Sequence, residues 1–237
     1  MSKKVIHKAD TRGHANHGWL NSYHSFSFAG YYNPERMSFG LLRVLNDDEV
    51  AAGMGFGAHP HDNMEIVSVP LSGALEHQDS TGNRKVIYTN DVQIMSAGTG
   101  LTHSEYNHSK EEKVKFLQIW VFPKEREIKP RYEQKTFNPE DRQNKLQTVV
   151  SPEKGSDAVW INQDAWFTLG TLKGGFSEDY KLHKNGNGVY AFVLEGEVEI
   201  DGEKLGRRDG LGISETDSFN IKASEDAELL LMEVPMK

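Results

Sequence analysis

Short β-rich runs separated by turn residues recur along almost the whole 237-residue chain, whereas long stretches of helical periodicity are scarce. β-branched and aromatic residues favour strands, and glycine beside Asn, Asp or Ser favours the turns between them. This spacing is typical of antiparallel sandwiches or barrels, so we predict an all-β chain. The predicted strands are Phe39–Leu45, Glu65–Leu71, Lys85–Thr89, Val92–Ser96, Phe116–Phe122, Val189–Leu194, Glu197–Asp201 and Leu229–Val234.

One charge-rich segment, Pro123–Lys145, interrupts this pattern and contains two further prolines. Such a composition indicates a connection between two strand-rich halves. We therefore predict an N-terminal barrel at residues 1–125, a connector at 126–145 and a C-terminal barrel at 146–237.

A weak internal repeat supports two equivalent halves. Leu71–Glu76 resembles Leu194–Glu199, and Asp91–Met95 has a looser counterpart in Asp209–Ile213. Similarity at this separation indicates a duplicated barrel.

Two X-x-X pairs, His59-Pro60-His61 and His103-Ser104-Glu105, concentrate metal-binding side chains in the first half. Residues two apart on a strand point to the same face, so each pair can direct both side chains into one cavity. Two such strands facing each other would enclose one ion, and we predict a metal site of three histidines and one glutamate. The alternative is a set of polar barrel residues that bind no ion.

Projecting the four ligands onto the second copy gives Leu182, Lys184, Ile221 and Ala223. None of these is a histidine or a carboxylate. We therefore expect the C-terminal barrel to lack metal ligands.

Imidazole and carboxylate ligands suit borderline divalent ions such as Fe(II), Mn, Co, Ni, Cu or Zn. Four protein ligands on an ion that prefers six leave room for a chelating substrate, or for a substrate together with O2. This favours redox chemistry over a closed structural zinc site. The chain has no cysteine, which excludes disulfides, iron–sulfur clusters and thiol catalysis.

The formal net charge is −8, with 35 acidic and 27 basic side chains and no long basic cluster. We therefore expect no nucleic-acid partner. No apolar run approaches the roughly 20 residues that span a bilayer, and polar sequence follows Met1–Lys4, so we expect no membrane association and a cytoplasmic location. The sequence does not predict a protein partner.

Both histidine segments also resemble the two cupin motifs. The matching residues are Gly53, His59, His61 and Glu65 in the first motif and Gly100, His103 and Asn107 in the second. Gly98 stands where the general motif has proline, and Glu105 is the variation found in pirins. The chain resembles a pirin-family protein over essentially its whole length, and the bacterial quercetinase-type pirins in particular through Ser25–Phe28, Glu76–Ser80 and Ser96–Gly100.

This resemblance implies two cupin (jelly-roll) β-barrels, a bicupin, with a metal only in the first. It implies that His59, His61, His103 and Glu105 are the ligands, with Fe(II) as the expected ion, and that Glu65 has a structural role.

The resemblance also implies a quercetin 2,3-dioxygenase activity, with a flavonol-like substrate and O2, ring opening and release of carbon monoxide. Glu105 is then the candidate general base for the flavonol hydroxyl. Two alternatives stay open: an iron-dependent metal- or redox-sensing regulatory protein without turnover, and sugar isomerisation by a cupin, which we rank last.

Other histidines and aromatics carry weaker signals. His77 either lines the cavity or pairs with Asp79, and it is interpreted as a hydrogen-bonded barrel residue rather than as a support for the metal ligands. A structural or solvated role is expected for His14 and His17, whereas His24, His108 and His183 have no motif context and stay unassigned. Four aromatic residues either cover a barrel mouth or pack in the core: Phe26, Phe28, Tyr31 and Tyr32.

Overall fold

The computed structural model describes residues 2–237 and is built almost entirely of strands. The strands are β1 Lys3–His7, β2 Gly13–Asn16, β3 Leu20–His24, β4 Leu42–Val50, β5 Gly55–His61, β6 Glu65–Ser72, β7 Ala74–Asp79, β8 Arg84–Tyr88, β9 Asp91–Ser96, β10 Leu101–Asn107, β11 Val114–Val121, β12 Arg131–Thr136, β13 Leu146–Ser151, β14 Val159–Trp160, β15 Trp166–Leu172, β16 Phe176–Lys181, β17 Asn187–Glu195, β18 Val198–Ile200, β19 Glu203–Leu205, β20 Gly210–Ser214, β21 Ser218–Ala223 and β22 Ala227–Pro235. Within the described part of the chain, the only helices are single 3-10 turns at Ala9–Thr11 and Pro139–Arg142. None of the described helices is long or apolar enough to cross a membrane.

Each half consists of a seven-stranded and a four-stranded sheet, and the strand orders correspond except at one edge of the large sheets, where β13 and β14 are parallel but β2 and β3 are antiparallel. In the first half the orders are β12-β9-β6-β11-β4-β3-β2 and β5-β10-β7-β8. In the second half they are β1-β20-β17-β22-β15-β13-β14 and β16-β21-β18-β19. The internal repeat in the sequence therefore corresponds to two copies of one all-β topology.

The edge strand of each large sheet comes from outside its own half. β1 pairs with β20 in the C-terminal sheet, from Lys3 opposite Ser214 to His7 opposite Gly210. β12 lies inside the predicted connector and pairs with β9 of the N-terminal sheet. The division at 1–125, 126–145 and 146–237 stays a prediction, and two strand pairings cross it: β1 is an edge strand of the C-terminal large sheet, and β12 of the connector is an edge strand of the N-terminal one.

The two large sheets pack against each other, because the largest apolar cluster draws on both. Its members include Leu45, Val67, Ile94 and Leu117 from one sheet and Phe167, Phe192, Leu230 and Met232 from the other. Full burial of a side chain of this size contributes roughly 1.5–3 kcal/mol, so this interface is a main source of stability.

β6 and β11 are covered on both faces, which explains their nearly continuous burial. Val67 and Leu117 face the other half. Ser68 and Gln118, each one residue further along, face the space between the N-terminal sheets, where both contact Glu105. β6 and β11 therefore each present alternate residues to the candidate site.

Candidate metal centre

β5 and β10 lie side by side and bring the three predicted histidine ligands together. His59 on β5 is the direct cross-strand partner of His103 on β10, and their ring centroids are 4.4 Å apart. His61 lies 4.9 Å from each of the other two rings. Ligand atoms of the three side chains all fall within 4.8 Å of one another. The spacing suits a single ion.

Two features of the local backbone, an edge position and a β-bulge, explain how β5 accommodates a proline between two histidines. β5 is an edge strand that pairs only with β10, and an edge position accommodates Pro60 because one side of the strand needs no ladder hydrogen bonds. A register shift lies between His103 and Glu105, so β5 carries an extra residue there. Bulges of this kind redirect side chains and are frequent beside functional sites.

Gly98, which replaces the proline of the general cupin motif, has its own structural reason. Its φ is +50°, and a Cβ at this position would clash with the backbone carbonyl of Ile128. The carbonyl of Gly98 accepts a hydrogen bond from the amide of Asn63, at 2.9 Å. Glycine is therefore required by both conformation and close packing.

Burial holds the imidazoles of His61 and His103 neutral, so that each presents a free nitrogen lone pair, as a metal ligand must. Burial and the neighbouring His59 lower the pKa of His103 to about 2 and that of His61 to about 4. His59 Nδ1 lies 2.8 Å from the carbonyl of Gly57, so this nitrogen donates and Nε2 is left as the acceptor. His103 Nε2 is buried and has no hydrogen-bond partner among residues 2–237. These residues fit a metal ion.

A hydrogen-bonded series from Asp79 through His77 to His103 determines which nitrogen of His103 is free. Burial would raise the pKa of Asp79, but hydrogen bonds from His77, Thr81 and Asn83 outweigh this and lower it well below its usual range. An ionised carboxylate only accepts, so His77 Nε2 donates to Asp79 at 3.0 Å. Burial lowers the pKa of His77, whose Nδ1 then accepts from His103 Nδ1 at 3.5 Å. His77 thus pairs with Asp79, one of the two arrangements considered for it.

Glu105 is fully enclosed between the sheets and is oriented by two donors. Gln118 Nε2 donates to Oε2 at 2.7 Å, and Ser68 Oγ donates to Oε1 at 3.2 Å. Burial raises the pKa of Glu105 to about 7, although both hydrogen bonds act in the opposite direction. Its carboxylate lies within 4.8 Å of ligand atoms of His77 and His103, a group distinct from that of the three histidines. Its role as the fourth ligand stays a prediction.

A cavity of about 220 Å³ opens onto His59 and Glu105. One wall is aromatic, with Phe28, Phe56 and Trp120. A groove of about 1190 Å³ elsewhere, beside β1 and the C-terminal residues, is larger but contains none of the predicted ligands. The smaller cavity is the chemically relevant one, since it joins an aromatic wall to both His59 and Glu105, whereas a more open depression of about 470 Å³ reaches only His61 among the predicted ligands.

A row of polar side chains, hereafter the polar row, crosses the inner face of the large sheet below this cavity. Each member is the direct cross-strand partner of the next: Gln134, Gln93, Ser68, Gln118, Asn46 and His24. Burying a polar side chain costs free energy unless it forms hydrogen bonds. Of the polar row, only Ser68 and Gln118 form a hydrogen bond with Glu105.

Several sequence expectations are resolved by this arrangement. His14 lies on β2, and His17 lies in the turn after it and lines the cavity. Phe28 also lines the cavity, whereas Phe26 packs in the core between the two halves and Tyr32 is exposed. His24, which had no assigned role, lines the cavity as well.

The second half fills the equivalent space with apolar side chains. Ile221 and Ala223, at the positions that project from His103 and Glu105, are buried in its core, and Leu182 packs against that core. Lys184 is exposed at its tip and pairs with Asp164. The interior of this half also holds the fully buried Glu233, which accepts from Tyr180 and Asn187, and the absence of metal ligands here stays a prediction.

The fold and the histidine cluster define a two-domain cupin protein, and sequence comparison gives its family. The family described as "Pirin" matches residues 5–121, and the one described as "Quercetinase C-terminal cupin domain" matches residues 148–234. A protein of Escherichia coli (strain K12) named quercetin 2,3-dioxygenase is 44% identical over 97% of this chain and 98% of its own length. A pirin-like protein of Caulobacter vibrioides is 44% identical over 94% of this chain and 96% of its own length. The chain belongs to the pirin family.

A solved structure supports the same assignment. The bacterial pirin YhhW from Escherichia coli, in complex with nickel(II), superimposes with a TM-score of 0.93 at 42% identity and covers 98% of this chain and 99% of its own. The predicted bicupin architecture is confirmed. The nickel in that complex is a property of the relative.

Proposed function

We propose that this protein is a metal-dependent dioxygenase of the quercetin 2,3-dioxygenase type, which opens the central ring of a flavonol with O2 and releases carbon monoxide. The observation that carries the proposal is the cluster of His59, His61 and His103 at a cavity that also contains Glu105 and an aromatic wall. The names of the relatives support the same activity.

We assign His59, His61 and His103 as metal ligands, with Glu105 as the fourth. Fe(II) is the proposed ion, and the nickel complex of the relative makes Ni(II) the first alternative to test. An ion bound here would act as a Lewis acid that lowers the pKa of a chelating hydroxyl, and it would offer open positions for the substrate and O2.

Glu105 is the proposed general base for the flavonol 3-hydroxyl. In the metal-free protein burial raises its pKa to about 7, which suits proton exchange near neutral pH. Gln118 and Ser68 fix the direction of the carboxylate. Trp120 and Phe56 orient the flat ring and exclude water from the reacting end of the cavity.

The test is to follow loss of flavonol absorbance and release of carbon monoxide in air after loading the purified protein with Fe(II) or Ni(II). We expect metal-dependent turnover. His103→Ala should lower both metal affinity and kcat/KM by at least about a hundredfold, because it removes a ligand held by its own hydrogen-bonded support.

His108→Ala is the matched control. His108 is an exposed histidine directly after β10, the strand that carries His103, and its side chain pairs with Glu76 at the surface. It should keep full metal content and activity. Undiminished turnover in chelator-treated protein would contradict the proposal. Metal binding without flavonol turnover would instead favour the regulatory alternative.

A further inference from the structure

Two buried acceptors at the cavity have no partner. His24 and Asn46 are 3% and 2% exposed, respectively, and both line the cavity. His24 Nδ1 and Asn46 Oδ1 find no hydrogen-bond partner among residues 2–237. A buried polar atom without a partner costs about 1–3 kcal/mol, so two neighbouring examples at one cavity indicate a place where a ligand supplies the missing hydrogen bonds.

Neighbouring hydrogen bonds determine whether His24 Nδ1 acts as a donor or as an acceptor. Ser22 Oγ donates to the buried carboxyl of Asp48, and His24 Nε2 lies 2.8 Å from the same Ser22 oxygen. Burial raises the pKa of Asp48 to about 7, so above this pH Asp48 is ionised and takes the Ser22 proton, and His24 Nε2 is the donor to Ser22. Burial lowers the pKa of His24, which keeps the ring neutral and leaves Nδ1 as an acceptor. Asn46 adds a carbonyl oxygen beside it, so the missing group is a donor.

His24 lies far along the cavity from the proposed metal ligands, and Asn46 lies between His24 and Gln118. Edge-to-face ring contacts run from His24 to Phe28 at 5.3 Å, from Phe28 to Trp120 at 5.4 Å, and from Trp120 to His61 at 4.9 Å. In the polar row, His24 lies two strands away from Gln118, the residue that contacts Glu105, a separation of about 10 Å.

We propose that His24 Nδ1 and Asn46 Oδ1 form a hydroxyl-binding site that accepts a hydrogen bond from a phenolic hydroxyl of the substrate, remote from its metal-chelating end. This inference rests on the proposed function, which supplies the chelating end. It defines the substrate class more narrowly: a flat aromatic compound with a chelating oxygen pair at one end and a hydroxyl donor at the other. Phe28 and Trp120 contact the rings between them.

The test compares two flavonols that differ in remote hydroxyls, quercetin and 3-hydroxyflavone. Binding to nickel(II)-loaded protein is measured by calorimetry under nitrogen, so that no turnover contributes. The wild type should bind quercetin about tenfold more tightly, as expected for one added hydrogen bond that satisfies a buried acceptor. His24→Phe should bring the two dissociation constants close together and leave that of 3-hydroxyflavone unchanged.

Asn46→Leu provides a second, independent variant if His24→Phe folds poorly, and it should reduce the preference in the same direction. His14→Phe is the matched control, since His14 lies on the hairpin partner of β3 but stacks on Tyr23, away from the cavity. It should retain the full preference for quercetin.

Three outcomes would overturn the inference: equal binding of both flavonols by the wild type, an unchanged preference in both cavity variants, or equal weakening of both ligands. The last would show that His24 only supports the fold. If the wild type discriminates and the variants do not, yet no flavonol is consumed in air, the hydroxyl site stands and the dioxygenase proposal fails.

Discussion

At the residue scale, the position of one proton on His103 decides whether it can bind a metal. The ring has two nitrogens, and only the unprotonated one can be a ligand. The series from Asp79 through His77 places the proton on Nδ1 and leaves Nε2 free. Such supporting hydrogen bonds commonly determine both the orientation and the basicity of a histidine ligand.

Asp79→Asn should weaken this control. An amide can donate to His77 as well as accept from it, so the proton on His103 is no longer confined to Nδ1. We expect metal affinity to fall by about 10- to 100-fold, measured by titrating the metal-free protein with nickel(II).

Glu76→Gln is the control, because Glu76 lies on the same strand, is paired with Arg84 at the surface and should leave metal affinity unchanged. Wild-type affinity in a folded Asp79→Asn protein would show that the series does not determine the free nitrogen. Thermal unfolding of each variant separates this effect from a loss of structure.

The sequence predicted the site only where its residues are close along the chain. His59 and His61 are two residues apart and form a recognisable pattern, and the structure places them beside His103. His24, Asn46 and Gln118 have no such pattern. They become neighbours only through the pairing of β3, β4 and β11, which a single sequence does not encode locally.

At the element scale, the main difference from expectation concerns two edge strands: β1 pairs with β20 of the C-terminal half, and β12 of the predicted connector pairs with β9. The eight predicted strands are all present, with ends shifted by a few residues. β12 was not predicted because Arg131–Thr136 is mostly polar. It forms a strand because its backbone pairs with the backbone of β9 at the edge of the sheet. Tertiary pairing of this kind outweighs intrinsic strand propensity.

Deletion of residues 2–6 tests the role of β1. Loss of this strand exposes the edge of β20, so hydrogen exchange at Gly210–Ser214 should become faster by about tenfold or more, and Tm should fall by several degrees. Exchange is read by mass spectrometry.

β9 provides an internal control, because it is the equivalent strand of the first half and is covered by β12 instead. Its exchange should not change. Unchanged protection of Gly210–Ser214 in the truncated protein would show that β1 adds nothing to that sheet.

At the scale of the whole molecule, buried polar groups tie the two halves together across their apolar interface. Asp47 Oδ2 pairs with Arg12 at 3.1 Å and with Arg208 of the other half at 2.8 Å. Glu65 accepts from Ser96 at 2.8 Å and from the backbone amide of Asn162 in the other half at 3.1 Å. The structural role predicted for Glu65 thus takes the form of a contact between halves.

Glu65 should also make stability depend on pH. Burial raises its pKa from 4.5 to about 7. As pH rises from 4.5 to 7, the unfolded chain loses this proton while the folded protein keeps it, so the contribution of Glu65 to stability falls. The amide in the Glu65→Gln variant cannot titrate, so its contribution does not change with pH. Between pH 4.5 and 7, the free energy of unfolding of Glu65→Gln should therefore rise relative to that of the wild type by up to about 3 kcal/mol.

Urea unfolding at pH 5 and pH 8 measures this difference. Glu111→Gln, on an exposed loop, is the control and should follow the wild type at both pH values. Parallel pH profiles for Glu65→Gln and the wild type would contradict the assignment.

The position of β1 has a consequence for how the chain reaches its native state. Lys3–His7 can pair with Gly210–Ser214 only after roughly 200 intervening residues have been made, so this contact has very high contact order. During synthesis the N-terminal sheets can assemble while this segment remains without its partner. Closure of the C-terminal sheet by the start of the chain is therefore expected to be a late folding event, and until then β20 presents an open edge to other chains.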